Sequence, residues 1–243
     1  ILSAVRTPTG KFLGALKSLT ATELGARVVR EAVARAGIDP ALVDECIMGN
    51  VIQAGNGQNP ARQAALNGGL GDHVAALTIN KVCGSGLKAV MLAAQAIQAG
   101  DADVIVAGGM ESMSNAPYLL DKARTGYRMG NAELQDALYR DGLIDVYHNY
   151  LMGNAAELCA KECAIPREAQ DAFAISSYTR AQEAQRNGWF VKEIVPVEIS
   201  GRKGEVVQVT EDEDVTKTNF EKIPTLRPAF QKDGTVTAAN ASK

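Results

Sequence analysis

The residue whose type and setting point most directly to covalent chemistry is Cys83, within Asn80-Lys81-Val82-Cys83-Gly84-Ser85-Gly86. A thiolate is a strong nucleophile when it is held exposed near positive charge. Ahead of it runs Ala75-Ala76-Leu77-Thr78-Ile79, short, apolar and partly β-branched, which predicts a buried strand. Behind it, residues 87–99 are good helix formers closed by Gly100. Cys83 is therefore expected on a strand-to-helix turn, where unpaired N–H groups and the helix dipole favour an anion, a thiolate included. The glycines flanking Ser85 are expected to let a substrate approach the backbone. Packing is the competing use, since a lone cysteine in an Ala-rich α/β chain is commonly a small buried hydrophobe. The Gly-flanked strand end sets Cys83 apart from that use, but many folds share such a turn and it names no reaction by itself.

The elements that must position this turn follow from punctuation along the chain. A strand is expected at 1–5, followed by a Gly/Pro loop at 7–14. Thr20 and Glu23 form a capping box for a helix that runs to Ala36 and stops at Gly37. Residues 45–51 are strand-like. Asn59 caps and Pro60 opens a helix through Asn67, ended by Gly68-Gly69. After the Cys83 strand and helix, 101–109 reads as a further strand. Alternating strands and helices imply an α/β fold with a mostly parallel sheet covered on both faces, and sites in such sheets gather at the carboxyl ends of strands. Cys83 and the loop Gly108-Gly109-Met110-Glu111-Ser112-Met113-Ser114 both fall at such ends and are expected to face one pocket.

From Pro117 the alternation stops. Helices are expected near 133–140, 154–163 and 167–186, the last opened by Pro166 and ended by Asn187-Gly188. Residues 194–199 and 206–209 predict an antiparallel pair joined across Gly201 and Gly204, and the acidic run 211–214 a solvated loop. The expected division is 1–117, the βα part, and 118–243, an inserted or lid-like part.

Composition excludes several classes. With 46% hydrophobic but 5% aromatic residues, the core must be built from Ala, Val, Leu and Ile. A net charge of −3 and no basic stripe interleaved with aromatics argue against a nucleic-acid partner. No apolar run reaches membrane-spanning length, so no membrane role is expected. Cys46, Cys83, Cys159 and Cys163 have neither disulfide-framework nor zinc spacing, and free thiols suit a reducing compartment. His73 and His148 fall in turn and loop sequence and are expected at the surface. Both ends of the chain read as cut, so no targeting segment can be judged.

Taken together, these motifs resemble those of the thiolases, a family of acyl-CoA acyltransferases. Asn80-x-x-Cys83-x-Ser85-Gly86 resembles the acyl-acceptor cysteine motif. Ala4-Val5-Arg6-Thr7-Pro8, Gly49-Asn50-Val51, Gly57-Gln58-Asn59-Pro60-Ala61-Arg62-Gln63, Gly108 to Ser114 and Gly234 to Ser242 also match, in family order. The resemblance implies a thiolase-like fold: the first βα repeat of a layered α/β/α/β/α body, plus an α+β loop domain inserted in that repeat to cover coenzyme A. The second repeat is absent from this sequence. In these terms residues 1–117 are an incomplete N-terminal half-domain and 118–243 the loop domain. The likeness is strongest to acetoacetyl-CoA thiolases. It implies coenzyme A contacts at Tyr178, Lys217, Thr218, Asn219, Lys222 and Ser242, with no required cofactor. Ser177-Tyr178-Thr179-Arg180 and the Ala-Ala-Asn-Ala-Ser ending resemble the potassium-responsive mitochondrial form, which implies a potassium ion held by Tyr178, Ala238, Ala239 and Ala241. The alternative for Tyr178 is a packed helix residue with its hydroxyl satisfied, and for the two lysines an ordinary solvated loop charge.

The implied reaction is ping-pong acyl transfer through a thioester on Cys83, between acetoacetyl-CoA plus coenzyme A and two acetyl-CoA. The family's Gly-His-Pro, Cys-x-Gly-Gly-Gly and Asn-Glu-Ala-Phe elements do not occur here, so the 243-residue chain alone is expected to lack turnover. Leu151 stands where many short-chain members have a histidine, which loosens the tie to acetyl-only specificity. A homodimer or homotetramer, in the bacterial cytoplasm or the mitochondrial matrix and not secreted, is the implied setting. Two alternatives remain: a condensing enzyme of the ketosynthase kind, and a non-catalytic coenzyme A-binding or subunit-pairing module.

Overall fold

Thr20 opens the first helix as its sequence context predicts. Its hydroxyl accepts the Glu23 N–H, and the Glu23 carboxylate accepts the Thr20 N–H, so α1 (Ala21–Ala36) starts there and ends on Gly37 at φ 67°. Asn59 accepts the Arg62 N–H to start α2 (Pro60–Asn67). α3 (Ser85–Ala99) ends on Gly100 at φ 79°. Between them lie β1 (Glu45–Gly49), β2 (Ala75–Ile79) and β3 (Ile105–Gly109), a parallel sheet in the order β2-β1-β3. Register pairs Gly49 with both Ile79 and Gly109, so the three strands finish level. The computed structural model describes residues 1–201, 204–215 and 218–242.

The aliphatic core is the one the composition requires. Val29 and Val33 of α1, Ala61, Ala64 and Ala65 of α2, and Cys46 and Met48 of β1 form its centre. α3 packs on β1 and β3 and buries only Ser85, Ala89 and Ala93. Leu87, Val90, Met91 and Ile97 stand exposed on its other sides. A helix that is apolar all round has more than one face suited to burial.

Two compact units emerge. One comprises Ile1–Gly142 with Lys192–Glu211; the other comprises Leu143–Val191 with the described residues from Asp212 onward. The antiparallel pair β8 (Val197–Ser200) and β9 (Val206–Val209) forms as predicted. It groups with the first unit because Val197, Ile199 and Val209 share an apolar cluster with Leu16, Leu19 and Leu24. The compact units therefore cut the chain elsewhere than at 117.

Two expected elements are not found. No strand forms at 1–5; pairing is confined to Arg6, whose N–H donates to Glu193 O and whose carbonyl accepts the Val195 N–H, both at 2.8 Å. The helix expected at 133–140 is instead β5 (Gln135–Asp136), paired antiparallel with β4 (Tyr118–Leu119), followed by a π-type segment Tyr139–Leu143. Asp136 Oδ1 takes the Leu138 N–H, a local bond that competes with a helical run.

The second unit holds the short hairpin β6 (Ile144–Asp145) and β7 (Tyr150–Leu151), then α4 (Met152–Glu162) and α5 (Arg167–Arg186). A 3₁₀ segment, Phe220–Thr225, buries Ile223.

Candidate active site

Cys83 lies where β2 hands over to α3, and the residue before it is strained. Val82 sits at φ 48°, a left-handed conformation that costs a β-branched residue roughly 1–3 kcal/mol. Two side chains grip it. Asn80 Oδ1 accepts the Val82 N–H at 2.9 Å. Ser85 Oγ donates to the Val82 carbonyl at 2.6 Å and accepts the Lys81 N–H at 2.8 Å. The outcome is an exposed thiol two residues before the first turn of α3. No side chain caps that helix, so its positive end is open to an anion.

Glycines bring the turn onto the sheet. A Cβ on Gly49 would meet Ser85 Cβ at 2.5 Å and Gly86 N at 2.8 Å, and one on Gly109 would meet Gly86 Cα at 3.2 Å. Gly86 therefore packs backbone to backbone on the end of β3.

The loops around the turn are tied into the same end of the sheet. Asn50 N–H donates to Ile79 O, and Met110 N–H to Gly49 O. The buried Asn50 amide donates to Met110 O at 3.2 Å and to Glu111 Oε1 at 2.9 Å. Glu111 also accepts the Val51 N–H at 2.8 Å and the Ile52 N–H at 3.4 Å. Burial raises the Glu111 carboxyl above its ordinary range, against the opposing pull of those N–H groups and of Asn50. Asn80 Nδ2 reaches Val51 O at 3.4 Å, which connects this network to the Cys83 turn. Ser112 and Asn115 donate to the Leu19 carbonyl, and Asn59, Arg62 and Gln63 bond to backbone carbonyls around α2. Much of what stands out in those two motifs is thus structural.

The other candidate chemistry is ruled on by surroundings. Cys46 is buried, and burial pushes its thiol up to about 12, with Glu45 adding to the effect. Cys163 is raised by hydrogen bonding with Cys159, its neighbour one helical turn away. Among the described residues no group of three or more His, Cys, Asp and Glu could hold a metal ion. His73 and His148 are exposed as expected; His148 pairs with Asp145 at 2.6 Å and stacks on Tyr150.

The residues singled out for ligand binding fall in the second unit. Tyr178 is half-buried on α5 with its ring tilted against Phe220, 6.3 Å between centroids. Thr218 donates to Asp214 O at 3.2 Å, and Asn219 Oδ1 accepts the Glu221 N–H at 3.0 Å to start the Phe220–Thr225 segment. Lys222 and Ser242 are exposed, and Lys217 lies outside the described residues. Ala238, Ala239 and Ala241 sit in a turn organised by Thr237: its hydroxyl accepts the Ala239 and Asn240 N–H groups, and its carbonyl accepts that of Ala241. With those N–H groups committed, what this turn offers a ligand is carbonyl oxygen.

Sequence reasoning missed the side chains that hold these segments. Glu157, buried, accepts the Thr235 N–H at 2.8 Å, the Val236 N–H at 2.8 Å and the Thr235 hydroxyl at 3.0 Å. Burial raises its carboxyl, but those bonds and the Arg167 charge outweigh burial and leave it below the ordinary range. Asp171, also buried, accepts Arg167 Nε at 2.7 Å and Asn240 Nδ2 at 2.8 Å. Only the four-residue spacing of Arg167 and Asp171 was a signal available in advance.

Comparison with known proteins agrees with this arrangement. The model of the thiolase N-terminal domain matches residues 1–243. An acetyl-CoA acetyltransferase of Cupriavidus necator is 57% identical, and one of Schizosaccharomyces pombe 55% identical, over the whole chain. A crystal structure of an Ascaris suum thiolase in complex with coenzyme A superposes with a TM-score of 0.93 at 46% identity, again over the whole chain. The chain spans 62% of the length of each of these relatives. Its parallel sheet, its Cys83 turn and its order of motifs are those of one family: the chain belongs to the thiolases.

Proposed function

We propose that this chain supplies the acyl-accepting cysteine and the coenzyme A-binding segments of an acetyl-CoA C-acetyltransferase. The observation that carries the reading is the exposed Cys83 thiol on a strained turn, gripped by Asn80 and Ser85 ahead of an uncapped helix. The 57% and 55% identical relatives named acetyl-CoA acetyltransferase support it.

The chemistry follows from the thiol. Cys83 Sγ, as thiolate, attacks the thioester carbonyl of an acyl-CoA and forms a C–S bond. The tetrahedral intermediate collapses with cleavage of the original C–S bond, and coenzyme A leaves as a thiol that takes up the proton Cys83 gave up. A second thiol or enolate then takes the acetyl group, regenerating Cys83. That half-reaction needs a base and oxyanion donors. The family elements that supply them do not occur in this sequence, so the chain alone lacks turnover. Coenzyme A would lie along Tyr178, Lys217, Thr218, Asn219, Lys222 and Ser242, with lysine charge suited to its phosphates. A potassium ion fits Tyr178 and the carbonyls of Ala238, Ala239 and Ala241, because a hard monovalent cation prefers oxygen. Bound there, it would add positive charge and order the turn. Residues 118–243 act as the loop domain in this reading, and the protein assembles as a homodimer or homotetramer in the cytoplasm or mitochondrial matrix.

A non-catalytic subunit-pairing module is the second reading, favoured by the exposed apolar sides of α3. Intact mass before and after incubation with acetyl-CoA separates the two. The acyl-acceptor reading expects one acetyl group on Cys83 and none in Cys83→Ser. An unmodified mass, with Cys83 still open to iodoacetamide, would leave only the module.

A further inference from the structure

α5 carries a stripe of residues at spacings of four, three and four: Arg167, Asp171, Ala174 and Tyr178, all on one face. Asp171 and Ala174 are buried, and the Arg167 side chain is 19% exposed. Each polar member reaches a different part of the chain's last segment. Arg167 donates through Nε to Asp171 at 2.7 Å. Its other branch donates to Ile223 O at 2.9 Å and Leu226 O at 3.1 Å. It therefore ties down the segment that bears Lys222. Asp171 holds Asn240 Nδ2 at 2.8 Å, while Asn240 Oδ1 accepts the Thr237 N–H at 2.7 Å and its amide reaches Thr235 O at 3.1 Å. It therefore ties down the turn that leads to Ser242. Tyr178 packs on Phe220 at the far end of the same stripe.

We propose that Arg167 and Asp171 are a positioning pair that sets the Lys222-bearing and Ser242-bearing segments in register for one phosphate-rich ligand, coenzyme A in the proposed reading on which this inference rests. The two segments are twenty residues apart in sequence, as the numbers 222 and 242 show, and the planar guanidinium fork is what reaches both the carboxylate and the two carbonyls. A lysine has one point charge and no fork. A surface ion pair would do little here, but both groups are largely withdrawn from water and their bonds are charge-assisted.

The test uses the 243-residue chain, coenzyme A as titrant in calorimetry, and the rate of Cys83 alkylation by iodoacetamide as a report on the first compact unit. Asp171→Asn should weaken coenzyme A binding about tenfold or more, the scale of a lost hydrogen bond to a charged group. Arg167→Lys should weaken it by a smaller factor, and the double variant should be no weaker than Asp171→Asn alone, because the two act as a unit. Alkylation should keep its rate. Variants that bind as well as the parent chain overturn the positioning role and leave the coenzyme A reading standing. A parent chain that is alkylated normally but binds no coenzyme A overturns that reading and this inference with it. Slowed alkylation in both variants assigns the pair a general structural role and also overturns the inference.

Discussion

Glu111 in the first unit and Glu157 in the second are anchors of the same kind, yet their surroundings push them in opposite directions. Each carboxylate, Glu111 half-buried and Glu157 buried, accepts two consecutive backbone N–H groups and one side-chain donor from a distant loop. Glu111 has one long contact, 3.4 Å to Ile52, and a neutral amide, Asn50, for its third donor. Burial prevails and its carboxyl is raised. Glu157 has three bonds of 3.0 Å or less and the Arg167 cation nearby, and its carboxyl is lowered despite burial. The same fold-level device is thus strained in its ionised form at one loop and stabilised by ionisation at the other. At Glu157 the shorter bonds and the Arg167 charge outweigh burial, whereas at Glu111 burial outweighs its donors.

The sharpest way to break this comparison is Glu157→Gln. The amide turns one acceptor into a donor facing N–H groups, and the expected loss is about 2 kcal/mol at neutral pH, the scale of hydrogen bonds to a charged group. Chemical denaturation would read it, and a loss no larger than that of Glu111→Gln would end the argument.

Acid gives a smaller, signed effect. A lowered carboxyl contributes stability that is complete above the ordinary glutamate range and disappears as pH falls through its lowered value. A raised one does the reverse, and the loop it holds gains as pH falls through that raised value into the ordinary glutamate range. Hydrogen exchange on acidification should therefore show the 50–52 amides gaining protection first and the 235–236 amides losing it later. Simultaneous loss at both would contradict the opposite shifts.

The smallest effect is expected for Glu111→Gln. It gives up a bond worth about 1 kcal/mol but removes a buried charge, and the two should nearly cancel at neutral pH. A destabilisation above that of Glu157→Gln would reverse the comparison.

Local chemistry was readable in the sequence wherever its cause was local. The Thr20–Glu23 box, the Asn59-Pro60 start and the Gly100 stop each act over a few residues, and all appear where expected. The Cys83 turn was legible for the same reason, although its strain at Val82 was not, because nothing in the residue type announces a left-handed backbone. The anchors were illegible. Glu111 reaches back 60 residues, Asp171 forward 69 and Glu157 forward 78. No periodicity or cap signal spans such distances. The false strand at 1–5 failed likewise, since an apolar, β-branched start says nothing of whether a partner will lie alongside for more than one residue. The helix expected at 133–140 failed because propensity was overridden by a side chain, Asp136, that turned back on the backbone.

The contact between Gly86 and Gly109 has a consequence for how accurately the thiol can be placed. Where a side chain separates a helix from a sheet, each rotamer adds a small displacement to whatever the helix carries. Here the first turn of α3 rests on the end of β3 with only backbone between them. No χ angle lies in that path, so the site of Cys83 inherits the thermal spread of a hydrogen-bonded sheet, not that of a loop. Tolerance at the reacting atom is then set by peptide geometry, the stiffest part the chain has.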